Sequence, residues 1–385
     1  MEASLIFVEI FFWLLAAGYA VFTLWLWRTW SRIRVFQPAG TMNGAGTETL
    51  ISVIVPVRNE AVRIGALLAD LERQSLGKQL YEIWIADDAS TDATAALVRA
   101  FAEKTSMRLH LLELSDNRSA SPKKRAISSA LQKATGKYVV TTDGDCRVGP
   151  AWLETLVACF RESGARCVSG PVTFTPESKL TDHLQTVEFS SLVGSGACAI
   201  AAGRPNMCNG ANFAYEKSVF FEVGGFEGVD QIASGDDELL LQKIAQRYPE
   251  GIVFLKSPEA IVRTAPHTDW KGFRNQRQRW ASKWKFYRSP APKVLAVFIF
   301  LSNLMLLVAG LWYAFGQLSG YTWLALIGFK ILPEWLFISS VLRFLGKQRS
   351  IACIPLVQVL YPFYVVYFGL AGQKSRYVWK GRELR

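Results

Sequence analysis

Two acidic clusters follow short apolar runs: Asp87-Asp88 after Glu82 to Ala86, and Asp143-Gly144-Asp145 after Tyr138 to Thr142. Two carboxylates with one glycine between them on an open turn suit a hard cation with oxygen ligands, Mg²⁺ or Mn²⁺, which keeps coordination positions for a diphosphate. A third group, Asp236-Asp237-Glu238, precedes the run Leu239 to Leu241. A carboxylate there could take a proton from an attacking hydroxyl, and the same three residues would also favour the first turn of a helix. For a lone carboxylate capping is the plainer role, and Asp92 or Ser90 is expected to cap a helix in this way. Gln276, Arg279 and Trp280 fall at i, i+3 and i+4, so a helix would present an amide, a guanidinium and an indole on one face. The guanidinium could hold a diphosphate oxygen and the indole could form a flat wall for a sugar. Phe273, Trp280, Trp284 and Tyr287 also share a stripe, flanked by Lys271, Arg274, Arg277, Lys283, Lys285 and Arg288, the pattern of an amphipathic helix at an anionic membrane surface. Lys123, Lys124 and Arg125 read either as anion contacts or as a solvated basic face.

The elements that must position these residues are legible as a repeat. Apolar runs at Ile51 to Val57, Glu82 to Ala86, Leu109 to Leu114 and Tyr138 to Thr142 alternate with helical stretches near Ala61 to Arg73, Asp92 to Glu103, Lys123 to Lys133 and Pro150 to Arg161. Strand then helix, four times over, predicts an α/β domain with a mostly parallel sheet. In such sheets ligands bind beyond the C-terminal ends of the strands, which brings the acids to one crevice. Neither GxxxxGK[ST] nor GxGxxG follows the first run, which disfavours a P-loop enzyme or a dinucleotide dehydrogenase.

Half of the 385 residues are apolar and only 19% are charged, and the apolar residues bunch at the two ends of the chain. Leu5 to Trp27 is a run of about 23 residues broken only by Glu9, long enough to cross a hydrocarbon core. Arg28, Arg32 and Arg34 follow it, which speaks for a retained anchor over a cleaved signal peptide and places the residues after it in the cytoplasm. Three further stretches, Val294 to Phe315, Tyr321 to Leu345 and Ile351 to Gly372, close the chain. The tail carries Lys374, Arg376, Lys380, Arg382 and Arg385, so Ile351 to Gly372, with Pro355 and Pro362, is expected to be a re-entrant or interfacial hairpin. Lys330 and Glu334, four apart within the third stretch, read as a mutually neutralising pair. Thr41 to Thr49 reads as a linker. The six cysteines make no CxxC pair, which argues against zinc or a disulfide framework. The net charge of +11 clusters beside the membrane segments, so anionic lipid and not nucleic acid is the expected partner.

In this order the motifs resemble those of a membrane-bound family 2 glycosyltransferase with a GT-A catalytic domain, over roughly Ser52 to Tyr287. Val53-Ile-Val-Pro-Val-Arg-Asn-Glu60 resembles the opening strand and nucleotide-binding turn, Asp87-Asp88-Ala-Ser-Thr-Asp92 the DDxSxD segment, and Asp143-Gly-Asp145 the DxD. Gly235-Asp-Asp-Glu238 stands where that family has its base motif, and Gln276-Arg-Gln-Arg-Trp280 is QxxRW. The resemblance implies a Rossmann-like GT-A nucleotide-diphospho-sugar transferase domain between N- and C-terminal transmembrane helices. It implies Pro56, Arg58, Glu60, Asp87, Asp88, Lys124, Asp143, Gln276, Arg279 and Trp280 as nucleotide-sugar contacts, and Asp145 with Asp143 as ligands of Mg²⁺ or Mn²⁺. Asp237, supported by Asp236, would be the catalytic base, and Asn209, Gly210 and Asn212 of the run Cys208 to Phe213 would lie on the acceptor side.

The boundaries expected are a transmembrane helix over 1–27, a juxtamembrane segment and linker over 28–50, the catalytic domain over 51–268, and an interface helix over 269–290. Membrane segments over 291–373 and a cytoplasmic tail over 374–385 complete the chain. The activity implied is inverting transfer from a nucleotide sugar, a UDP sugar, to a membrane-associated lipid or lipid-linked saccharide, at the cytoplasmic face of a bacterial inner membrane. A processive polysaccharide synthase is the alternative, although three or four apolar segments give little wall for a polymer channel. An inactive membrane scaffold is disfavoured by the acids kept at every motif position.

Overall fold

The computed structural model describes residues 2–38, 50–115, 119–283, 290–372, 377–379 and 382–384. The expected linker, the outer part of the aromatic and basic stripe (Trp284, Lys285, Tyr287, Arg288) and the basic side chains of the tail lie outside the described residues. In chain order the elements are α1 (Glu2–Arg32), β1 (Ile51–Val57), α2 (Ile64–Glu72), β2 (Tyr81–Asp87), α3 (Thr94–Ala102), β3 (Arg108–Glu113), α4 (Pro122–Lys133), β4 (Tyr138–Thr141) and α5 (Trp152–Ser163). They continue as β5 (Cys167–Ser169), β6 (Val172–Phe174), α6 (Leu180–Ala201), β7 (Phe213–Glu216), α7 (Lys217–Glu222), α8 (Glu238–Arg247), β8 (Ile252–Phe254) and β9 (Val262–Thr264). The last are α9 (Trp270–Ser282), α10 (Pro290–Ala314), α11 (Gly320–Phe344), α12 (Ile354–Ala371), β10 (Tyr377–Trp379) and β11 (Arg382–Leu384). The chain divides into two units, one of Met1–Arg32, Glu177–Ser195 and His267–Ser375, the other of Ile33–Pro176, Gly196–Pro266 and Arg376–Arg385.

The second unit is built on a seven-stranded sheet of order β3-β2-β1-β4-β7-β5-β8. Strands β3, β2, β1 and β4 pair in parallel, as do β5 and β8, while β7 runs antiparallel between β4 and β5. The sheet is therefore mostly parallel, as the strand and helix repeat predicts. Ile51, Val53, Ile54 and Val55 are fully buried, which is why β1 reads as an unbroken apolar run and not as an alternation. Val57 lies opposite Asp87, and Ile54 opposite Thr141. That register opens the C-terminal ends of β1, β2 and β4 on one edge, where residues 58–60, 88 and 143–145 follow. Strands β6 and β9 form a separate parallel pair, and reciprocal backbone hydrogen bonds of 2.7 and 2.9 Å between Arg147 and Arg263 fasten the stretch just after Asp145.

In the first unit, α1, α10, α11 and the segment Gln348–Ala371 that holds α12 are long and apolar enough to cross a membrane. Phe12 and Ala16 of α1, Met305 and Ala309 of α10, and Leu326 of α11 form a shared core. Lys330 and Glu334 pair at 2.8 Å and are both buried, and Lys330 also donates to Gln358 at 2.8 Å while the Tyr19 hydroxyl donates to Glu334. The expected hairpin over Ile351 to Gly372 is not formed. Pro355 sits in the first turn of α12, where no backbone donor is missed, and Pro362 is accommodated inside a continuous helix. On α9 the described part of the aromatic stripe is turned onto neighbouring helices: Phe273 meets Phe368 at 6.3 Å between ring centroids, and Trp280 meets Phe189 at 6.0 Å. None of the six cysteines forms a disulfide; Cys146, Cys159, Cys167 and Cys198 are buried, and Cys208 and Cys353 are half-buried.

Candidate active site

The end of β1 turns sharply at Asn59, whose φ of 55° is left-handed, and the end of β2 does the same at Ala89, with φ of 53°. Such backbone is costly for residues with a side chain and persists where its surroundings enforce it. Here the two turns hold one another: the Asn59 amide donates to Ser90 Oγ at 2.9 Å, and Asn59 Oδ1 accepts from the Thr91 amide at 2.8 Å. Arg58 donates to the carbonyls of Asp88 and Ala89, the latter at 2.8 Å. The Glu60 amide donates to Thr94 Oγ1 at 2.8 Å. Asp92 accepts from the Thr94 amide at 3.0 Å and from the Ala61 amide at 3.1 Å, tying the start of α3 to the turn after β1, but neither it nor Ser90 is the cap: Ala93 holds the N-cap position with no side-chain cap bond, and Ser90 is engaged by Asp87.

Asp87 and Asp88 are buried, and both are engaged within the fold. Asp87 accepts from the Ser90 amide and hydroxyl; Asp88 pairs with Arg125 and stands 3.9 Å from Arg58. Pro56 lies within β1 beside Ala86 of β2. Glu60 is 7% exposed and packs against the turn between the DxD acids. A Cβ on Gly144 would come within 2.8 Å of Val57 Cγ1 and 3.1 Å of Glu60 Cγ, so only glycine lets that turn lie so close to β1.

Of Lys123, Lys124 and Arg125, Lys123 is the residue that the structure brings to both Asp143 and Asp236. Its Nζ lies 2.8 Å from Asp143 Oδ1 and 3.0 Å from Asp236 Oδ2, so one ammonium joins the DxD turn to the loop before α8. Burial opposes the charge on Lys123, but Asp143, Asp236 and Asp237 around it outweigh that cost and raise its pKa above the ordinary value. Lys124, the residue expected to contact donor, points elsewhere: it is buried and donates to the carbonyls of Val229 and Ile232 at 2.6 and 2.8 Å, tethering the loop before the third acidic group. The physical reason is helical phase. With 100° per residue, Lys123 falls in the middle of the buried stripe Ala126, Ile127, Ala130 and Leu131, and Lys124 falls at its margin. That stripe was the signal that could have singled out Lys123.

Asp237 caps α8, accepting from the Glu238 amide at 2.7 Å through Oδ1 and from the Gly210 amide at 2.8 Å through Oδ2. Gly210 is thereby brought against the acids, and a Cβ on it would stand 3.1 Å from Asp236 Oδ2 and 3.3 Å from Lys123 Nζ. Asn209 accepts from the Ala211 amide at 3.0 Å and so shapes that turn. Asn212 is fully buried and engaged in the fold: it donates to the carbonyls of Pro171 and Ala260 at 2.9 and 2.8 Å and accepts from Trp152 Nε1 at 3.0 Å. Of the three expected acceptor-side residues, Gly210 thus meets the acids directly and Asn212 serves the scaffold.

Asp143, Asp145 and Cys146 each place a potential ligand atom within 4.8 Å of the others. Burial first, and then the carboxylates of Asp143 and Asp145, push the Cys146 thiol well above its ordinary pKa, and sulfur is in any case a soft ligand ill-matched to Mg²⁺ or Mn²⁺. The two carboxylates, with side chains 39% and 26% exposed, are what remain, and an oxygen pair open to solvent fits Mg²⁺ or Mn²⁺. Asp145 is raised by burial and by Asp143, with Arg63 at 3.4 Å acting the other way. Gln276, Arg279 and Trp280 lie on α9 of the first unit, where the Gln276 side chain accepts from Arg277.

Comparison with known proteins agrees with this arrangement. The family model described as glycosyl transferase family 2 matches residues 52–224. Glycosyltransferase AglE of Haloferax volcanii is 28% identical over 193 residues, covering 50% of this chain and 60% of the relative. The dolichyl-phosphate beta-glucosyltransferase of Dictyostelium discoideum is 38% identical over 102 residues, covering 25% of this chain and 30% of the relative. The chain thus spans less than two thirds of the length of these relatives. Among solved structures, a mannosyltransferase from Pyrobaculum calidifontis, in complex with GDP-Man and Mn²⁺, superposes with a TM-score of 0.55 at 20% identity over 92% of this chain and 99% of that one, a likeness of fold. A parallel-sheet domain whose strand ends gather the DxD and the paired aspartates, matched by that family model, leads to one assignment: residues 52–224 are a glycosyl transferase family 2 domain.

Proposed function

We propose that this protein transfers a sugar from a nucleotide sugar, a UDP sugar, to a membrane-associated lipid or lipid-linked saccharide, with inversion at the anomeric carbon. The observation that carries the reading is the meeting of Asp143 and Asp236 on Lys123, with Asp237 fixed beside them, at the strand ends of a family 2 domain. Four helices long and apolar enough to cross a membrane, and a relative named for a dolichyl-phosphate substrate, support the lipid acceptor. The basic residues after α1 support a cytoplasmic catalytic face at a bacterial inner membrane.

In this reading Asp237 is the general base. A carboxylate has about four acceptor positions, so two backbone donors orient it and leave capacity for the acceptor hydroxyl proton. Asp236, tied to Lys123, supports it. Asp143 and Asp145 would hold Mg²⁺ or Mn²⁺, which supplies positive charge at the diphosphate as the nucleotide leaves. Arg58, Glu60, Asp87 and Asp88 shape the nucleoside end, and Gln276, Arg279 and Trp280 contribute on the strength of motif resemblance. The test incubates purified protein and Mn²⁺ with labelled nucleotide sugars and a total lipid extract, beside Asp237→Asn. Asparagine still caps a helix, so the variant should fold and bind nucleotide while transfer falls about 10²- to 10⁴-fold. Label in the organic phase supports the reading, label in a large polymer replaces it with a processive synthase, and full turnover by Asp237→Asn removes that residue as base.

A further inference from the structure

Arg277 stands inside the Gln276 to Trp280 motif and is its most buried residue, 2% exposed. Its Nε donates to Glu188 Oε1 at 3.1 Å, and a terminal nitrogen donates to Glu188 Oε2. The hydroxyl of Tyr364, on α12, donates to the same Oε1 at 2.8 Å. The guanidinium carbon lies 4.7 Å from the Phe273 ring and 4.4 Å from the Trp280 ring, and the other terminal nitrogen donates to Gln276 Oε1. One side chain therefore touches two of the three motif residues while α6 and α12 hold it in place. Only a planar, forked cation can do all of this at once. A buried ion pair is weak support for stability, because desolvation offsets its attraction, and fixing one geometry is the better account of it.

We propose that Arg277 is a positioning residue: clamped by Glu188 and Tyr364, it fixes the side chains of Gln276 and Trp280, the motif residues on which transfer depends. The inference rests on the transfer reading above. The test compares full-length wild type, Arg277→Lys and Tyr364→Phe in lipid nanodiscs by amide hydrogen exchange over α9, nucleoside diphosphate affinity with Mn²⁺, and kcat and KM. In Arg277→Lys, α9 should exchange about tenfold faster. Its kcat should fall about 100-fold with nucleotide affinity unchanged, and Tyr364→Phe should lose about fivefold. Wild-type kcat in Arg277→Lys, unchanged exchange in α9, or a matched fall in kcat, nucleotide affinity and melting temperature would each overturn the proposal. If wild type itself transfers no sugar, the transfer reading fails, and unchanged exchange in α9 still sinks the clamp.

Discussion

One ammonium among three carboxylates dominates the site at the scale of single residues. Lys123 neutralises part of the charge that Asp143, Asp236 and Asp237 gather, and in doing so it competes for Asp143 with any divalent cation. Lys123→Met should therefore bind Mn²⁺ more tightly, by about tenfold even with the screening of bulk water, while losing transfer; titration followed by the resonance of free Mn²⁺ would show it, and weaker binding would refute this account. That the acids would gather on one edge was legible in the sequence, because the C-terminal ends of parallel strands open on the same side of a sheet. Lys123 and Lys124 differ only by a rotation about the helix axis, so residue type does not separate them and only the phase of the buried stripe on α4 does. Nor did the sequence separate Asn212, whose amide is fully occupied by the fold, from Asn209 and Gly210.

Among elements, the bond between α2 and the stretch after β4 matters most for the DxD turn. Asp70 of α2 is buried; Arg147 donates to both its oxygens, at 2.9 Å to Oδ1, and Arg73 pairs at 2.7 Å. Burial works against the charge, but Arg147 and Arg73 hold the Asp70 carboxyl below its usual range. A lowered folded pKa means stability that is present above the unfolded value of about 4 and is lost as pH falls through the folded one. Asp70→Asn should thus melt below wild type at pH 7, with the gap closing under about pH 4; a gap that does not change with pH would count against the pair. The first four strand and helix units could be located from sequence within a few residues because β1, β2 and β4 are nearly continuous buried runs, and β3, half-buried at the sheet edge, still carries leucines at its centre. Strands β5, β6, β8 and β9 are three residues each, too short for any periodicity to register. The long α6 escaped for another reason: its Thr, Ser, Gly and Ala residues give no clean apolar stripe.

For the whole molecule, the long apolar helices α1, α10 and α11 were legible from length and apolarity alone, whereas the two prolines of α12 led to an expected hairpin in place of its single helix. The division into two units interleaved along the chain was not, because it depends on α6. Within the first unit, Lys330, Glu334, Gln358 and Tyr19 link α1, α11 and α12 through buried polar contacts. Lys330→Met alone leaves Glu334 buried without its counter-ion and should cost about 3–5 kcal/mol, whereas Lys330→Met with Glu334→Leu should recover most of it. Unfolding in mixed micelles measures both, and equal losses would contradict the pairing. The cysteines carry a last, practical consequence. Burial pushes the Cys159 thiol up to about 11 and raises Cys146 and Cys167 further, and Cys198 is buried as well, so maleimide dyes should find the half-buried Cys208 and Cys353 first. One lies in each unit, which makes the native chain a ready two-colour reporter for single-molecule fluorescence during turnover, with no thiol introduced.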